Sequence, residues 1–130
     1  MGVLNKQEVL CNGKLIVCDF NDLDLSMLFP VDGVTKDNIK NEILMVSLDG
    51  KMYVNINADK ECRKILLDLL PIIIFMKLAD LKKFEMKHKK ILKKDFSTLE
   101  EGQKGTALVV GNLIPIEKKR RIMEANYYHK

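Results

Sequence analysis

Two stretches near the start of the chain set apolar runs on either side of a turn dipeptide. In EVLCNGKLIVCDF the pair Asn12-Gly13 separates them, and in EILMVSLDGKMYVNI the pair Asp49-Gly50 does the same. Both dipeptides accept the positive φ angles of a type I′ turn, so each stretch is expected to fold as a β-hairpin. Aligned on their turns, the stretches superpose Val9, Gly13, Lys14 and Val17 on Val46, Gly50, Lys51 and Val54, an offset of 37 residues. Shared turn chemistry accounts for that match as well as duplication does. A two-residue loop in the second hairpin pairs Ser47 with Met52, Met45 with Val54 and Ile43 with Ile56. Leu44, Val46, Leu48 and Tyr53 then lie on the other face, so the sheet is expected to be covered on both sides. The segment NDLDLSMLFPVDGVTKDN between the hairpins reads as an irregular connection.

After residue 57 the apolar period lengthens. Cys62, Ile65, Leu66 and Leu69 fall on one face of a helix that Asn57 caps and that starts at Ala58. Pro71 is expected to interrupt it, and a second helix to start there and run to about Lys94. The competing assignment for PIIIFM is a short buried strand, because its isoleucines are β-branched. In the second helix Ile74, Leu78, Leu81, Phe84, His88, Ile91 and Leu92 share a core-facing arc of about 140°. Gly102 and Gly105 then bracket a turn, TALVVGNLIPI reads as a strand with a bulge at Gly111, and EKKRRIMEANYY as a short terminal helix. The expected fold is therefore α+β: a mainly antiparallel sheet of two hairpins plus a late strand, packed on one or two central helices and a short C-terminal helix.

Size changes this picture little, since 130 residues suffice for one core and the chain reads as a single domain, 1–130. Charge changes it more. Residues 1–61 hold six lysines and ten acids, whereas residues 62–130 hold sixteen Lys or Arg and eight acids, so the net charge of +4 conceals an acidic half and a basic one. Such asymmetry suggests an acidic partner for the basic half, or self-association.

The basic half concentrates its charge in KFEMKHKKILKK, residues 83–94, with six lysines and one histidine against one glutamate. Lys83, Lys87, Lys90 and Lys94 form a single file on a helix, about 16 Å long at about 1.5 Å rise per residue. Like charges at these spacings oppose helix formation by about 0.2–0.5 kcal/mol per pair, which favours an external anion that relieves them. A second cluster, Lys118, Lys119, Arg120 and Arg121, precedes the only tyrosine pair, Tyr127-Tyr128. Charge followed by stacking residues suits single-stranded nucleic acid, although a terminal helix docked by Ile122 and Met123 explains it more simply. Lysines contact phosphates without reading bases, so sequence-specific recognition is not expected.

No catalytic constellation emerges. His88 lies in the apolar arc, and the acids of DFNDLD lack the glycine and the distal glutamate of a calcium loop. EGQKGTALVVGN places its strand after the glycines, the reverse of a phosphate-binding loop. The three cysteines, Cys11, Cys18 and Cys62, fit free thiols of a reducing compartment. The amino-terminal residues carry charge too early for a signal peptide, and Lys6 stands where N-myristoylation after Gly2 requires Ser or Thr. Leu69 to Met76 is uncharged but far short of the about 20 residues of a membrane span.

The sequence therefore points to a small cytoplasmic, non-enzymatic binding protein of inhibitor or adaptor type, without metal or cofactor, whose lysine-rich helical face engages an acidic protein surface or a nucleic-acid backbone. The partner-binding residues are Lys83, Lys87, Lys90, Lys94, Lys118, Lys119, Arg120 and Arg121. The rival reading is a ligand-binding or enzymatic domain whose pocket between sheet and helix draws on Asp19, Tyr53 and His88. Self-association through Ile72 to Met76 is a third expectation.

Overall fold

A computed structural model describes residues 7–128, so the leader and myristoylation readings at residues 1–6 lie outside the described residues. The chain is α+β with a four-stranded sheet: β1 (Glu8–Leu10), β2 (Leu15–Cys18), β3 (Leu44–Val46) and β4 (Met52–Asn55). Its helices are α1 (Lys60–Phe75), α2 (Leu78–His88), α3 (Glu101–Leu108) and α4 (Ile114–Tyr128). These elements form two compact units, one built from the chain up to Lys64 together with the segment from Lys119, the other from Ile65–Lys118. Among the described residues no helix is long and apolar enough to cross a membrane.

In the first unit the sheet is mixed rather than mainly antiparallel, with strand order β1-β2-β4-β3. Each hairpin is antiparallel, but their second strands run parallel side by side, pairing Leu15 with Met52, Ile16 with Tyr53 and Val17 with Val54. The offset in that pairing is 37 residues, so Val17 and Val54, which superpose when the turns are aligned, are neighbours across the sheet centre, whereas Val9 and Val46 lie on the opposite outer strands. The first turn has left-handed backbone at Cys11, Asn12 and Gly13, and Leu10 pairs with Leu15 as an Asn12-Gly13 turn requires.

The second hairpin is shifted by one residue from the expected register. Leu44 pairs with Val54, Met45 with Tyr53 and Val46 with Met52. Ser47 is the cause: its N–H donates to Lys51 O (2.8 Å), its Oγ accepts from Lys51 N (2.9 Å), and its carbonyl accepts from Gly50 N (3.1 Å). In the turn only Gly50 has positive φ, +83°, so this is a three-residue loop ending in a left-handed glycine and not a type I′ turn. A one-residue slip exchanges faces. Leu44 and Val46 therefore share a face with Met52 and Val54, and Met45 shares the other with Tyr53. Both faces are buried along β2 and β3, whose residues are apolar at every position.

The face carrying Ile16, Cys18 and Met45 packs on Phe20, Leu28 and Ile39 from the connection. That connection is three 3₁₀ turns; Asp19 caps the first by accepting from Asn21 N (2.9 Å) and Asp24 the second from Ser26 N (2.9 Å). It also covers the outer edge of β3, since Phe29 N donates to Val46 O and Leu48 N to Met27 O. Asn55, buried at the end of β4, donates through Nδ2 to the carbonyls of Lys40 and Glu42 and accepts from Asn57 N. Each polar atom of its amide is thereby used, as burial demands.

The three cysteines are free. Burial, and then the charges of Asp19 and Asp22, push the Cys18 thiol up to about 11. A thiol whose folded pKa lies above its unfolded one favours the fold below the unfolded value, near 9, and that contribution is lost as pH climbs toward 11. Tyr53, raised chiefly by burial, acts with the same sign. Urea melts are therefore expected to show stability falling from pH 9 to pH 11, and a Cys18→Ala variant to fall less steeply; equal slopes would contradict the assignment.

Three helical boundaries differ from expectation. Asp59, not Asn57, caps α1, accepting from Cys62 N (3.2 Å). Pro71 lies inside α1 without ending it. An interior proline costs about 3 kcal/mol, but Leu66, Leu70, Ile73 and Ile74 form a buried stripe in which each side chain contributes about 1.5–3 kcal/mol. The stripe outweighs the proline, and the break falls at Met76-Lys77. The expected late strand is absent: α3, a π turn at Val109–Leu113 and α4 form one helical run. Glu100 and Gln103 make a reciprocal capping box at its start, so Gly102 and Gly105 are helical. Pro115 has no N–H to give the carbonyl four residues back, and the π turn reroutes the ladder there, Ile114 N bonding Val109 O.

Candidate functional site

The lysine segment belongs to the second unit. α2 starts without a side-chain cap after the extended Lys77 and ends when His88 leaves helical backbone. The chain then tightens into a 3₁₀ segment, Lys89–Lys93, and extends at Lys94. The helix thus stops six residues short of its expected end, and the single file is not formed. Lys83 and Lys87 share one helical face; Lys90 sits on the 3₁₀ segment and Lys94 beyond it. Of the expected core arc, Leu81 is buried and His88 stacks on Phe84 with centroids 4.4 Å apart, whereas Leu78 and Leu92 are exposed.

All seven lysines between residues 82 and 94 are exposed. Among the described residues none of them is in an ion pair. The one acid in their midst, Glu85, is instead held by Lys118 at 3.0 Å. Like charges at this density repel and are screened only by solvent ions, so the segment gains free energy when an anionic surface approaches.

The second basic cluster disperses, because successive helical residues point about 100° apart. Lys118 is bound to Glu85, and Lys119 sits over the Phe29 ring, 4.7 Å from its centroid. Arg120 is turned inward with 1% of its surface exposed, donating to Gly50 O (3.0 Å) and to Glu124 Oε2 (2.8 Å). A guanidinium so enclosed holds α4 to the second turn and presents no exposed charge, unlike the expected surface position; Arg121 is half-buried. Ile122, expected to dock, is exposed, and Tyr127 and Tyr128 meet edge to face, so their two rings do not form one continuous platform.

Beside that helix the first unit has an open cavity of about 490 Å³ between the two hairpin turns, where Lys14 and Lys51 come side by side. Each is answered locally, Lys14 by Glu124 (3.7 Å) and Lys51 by Asp49 (3.6 Å), so the cavity carries no net excess of either sign. A smaller groove of about 170 Å³ lies in the second unit beside Lys94. Neither contains Asp19, Tyr53 or His88. Asp19 is engaged as a cap, Tyr53 packs on the apolar cluster, and His88 lies against Phe84. Among the described residues no group of three His, Cys, Asp or Glu is placed to hold a metal ion.

No family model, curated protein or solved structure matches this chain. The site must therefore be read from its own residues. Of the stretch Ile72 to Met76, expected to contact a second copy, Ile73 and Ile74 are buried, while Ile72 and Phe75, one helical turn apart near the end of α1, are more than half exposed. Sequence reasoning missed Arg120, Glu124 and Asn55 as structural polar residues. The Arg120–Glu124 pair, four residues apart on one helix, is a local signal that marks two of them, whereas the bonds of Arg120 to Gly50 and of Asn55 to Lys40 and Glu42 reach residues distant in the chain.

Proposed function

We propose that this chain is a non-enzymatic binding protein of inhibitor or adaptor type that engages an acidic protein surface through Lys83, Lys87, Lys90, Lys94 and their exposed neighbours. The observation that carries the reading is the diversion of Glu85 to Lys118, which leaves seven exposed lysines without a carboxylate partner among the described residues. A protein surface is favoured over nucleic acid because no arginine and one phenyl ring, Phe84, lie between residues 77 and 94. Lysines alone give charge without base recognition.

A salt series on the native chain tests this, with a polyglutamate peptide and a mixed-sequence duplex as baits. Affinity for polyglutamate is expected to fall steeply between about 50 and 200 mM salt and to exceed that for the duplex. Tighter duplex binding, with a log–log slope near −3.6 for about four neutralised phosphates, would transfer the surface to nucleic acid. Affinity independent of salt would reject a lysine surface altogether.

A further inference from the structure

The groove beside Lys94 gives the lysine surface an apolar neighbour. Its walls include Leu92, Phe96, Leu99, Leu108 and Gly111, and Lys94 is the one charged residue that lines it. Leu92 and Phe96 stand 49% and 43% exposed although they face a cavity that solvent fills unfavourably. Apolar surface left open and rimmed by charge is the usual mark of a binding groove. Lys104 lies over the Phe96 ring at 5.8 Å, a second cation at the rim. Two of the nearby acids are turned onto local backbone: Asp95 accepts from Ser97 N (3.1 Å), and Glu100 belongs to the capping box.

Gly111 lines the groove without a side chain of its own. Its φ is not positive, so conformation does not require glycine there, and glycine inside a helix is less favourable than alanine. A Cβ at this position would come within 3.0 Å of Leu92 Cδ2. The volume of about 170 Å³ suits one compact apolar group, since an enclosed cavity of about 150 Å³ takes up a benzene-sized guest.

We infer that this groove is the anchoring subsite of the lysine surface, taking one leucine- or phenylalanine-sized side chain from an acidic peptide segment whose flanking carboxylates meet Lys90, Lys94 and Lys104. The inference rests on the binding role proposed above and names its partner: an acidic segment with a single apolar anchor. Charge brings such a segment in, and the groove selects among acidic segments.

Two short glutamate-rich peptides, identical but for leucine or serine at the centre, test it by fluorescence anisotropy with the full chain at low salt. The leucine peptide is expected to bind about tenfold more tightly. Gly111→Leu, which fills the groove with its own side chain, and Leu92→Gln are each expected to remove most of that preference while leaving the serine peptide unaffected. A Lys90→Gln/Lys94→Gln variant is expected to weaken both peptides. Equal binding of the two peptides, weakened by the lysine changes, would overturn the groove and leave the lysine surface standing. A leucine preference that survives both groove variants would also overturn it, and absence of binding to either peptide would overturn both readings. Should Gly111→Leu fail to fold, as judged by a thermal melt, Leu92→Gln at an exposed position still decides.

Discussion

Gly50→Ala is expected to destabilise the chain by about 2–4 kcal/mol, a large share of the about 5–15 kcal/mol that holds a domain together. Two costs combine. An alanine at φ +83° is strained by about 1–2 kcal/mol, and its Cβ would lie 2.4 Å from Glu124 Cβ and 2.6 Å from Glu124 Cα. Because one of those atoms is backbone, the turn or the helix must shift, and overpacking of this kind costs about 1–3 kcal/mol. The melting midpoint is expected to fall by about 10 °C. Gly13→Ala is the control: its φ is +84° but a Cβ there meets nothing within 4 Å, so only the strain applies. Equal losses for the two variants would contradict the close approach of α4 to the second turn.

Arg120→Ala is expected to cost about 3 kcal/mol, because it removes a buried guanidinium bonded to Gly50 O and Glu124 and leaves the carbonyl without its donor. Arg120→Met fills the volume but leaves the same carbonyl without its donor, and is expected to lose somewhat less than Arg120→Ala. The Gly50 and Arg120 changes touch the same contact, so the double variant is expected to fall short of the sum. Lys83→Ala, on an exposed helix face, is expected to stay within about 0.5 kcal/mol. Urea denaturation of the three single variants separates architecture from partner contacts. An Arg120→Ala variant of native stability but weakened binding would return Arg120 to the partner surface.

The hairpins were legible because turn chemistry is local, and the first kept its expected register. The second slipped by one residue because Ser47 folds the loop through hydrogen bonds that the Asp49-Gly50 pair does not announce. The parallel contact between the hairpins was visible only as the offset of 37 residues; pairing across 37 residues is set by packing, and no turn signal encodes it. The strand expected at residues 106–116 failed for a different reason. Val109, Val110, Gly111 and Pro115 each disfavour helix singly, yet the capping box at Glu100 starts a helix, and burial at Ala107 to Val110 recurs at Leu113 and Ile114 and again at Glu117, about one turn apart. Period and cap outweighed residue preference. Pro71 in α1 repeats the lesson.

The exposed lysine segment was legible in composition but not in shape. The pattern located the exposed charge and assigned Leu81, Phe84 and His88 to the inward face, while the change to 3₁₀ geometry at Lys89 left no mark in a run of lysines. The second cluster was misleading in the opposite way. Four adjacent cations look alike in sequence, and helical rotation gives Lys118, Lys119 and Arg120 a carboxylate, a ring and a buried carbonyl respectively.

The central claim is that the exposed lysines of residues 83–94 serve binding and are dispensable for folding. The most direct test changes Lys83, Lys87, Lys90 and Lys94 together to glutamine and follows polyglutamate binding and thermal stability in the same low-salt buffer. The predicted result is loss of at least tenfold in affinity with a melting midpoint unchanged or slightly raised, since like-charge repulsion is relieved. Undiminished binding by a folded quadruple variant would contradict the account.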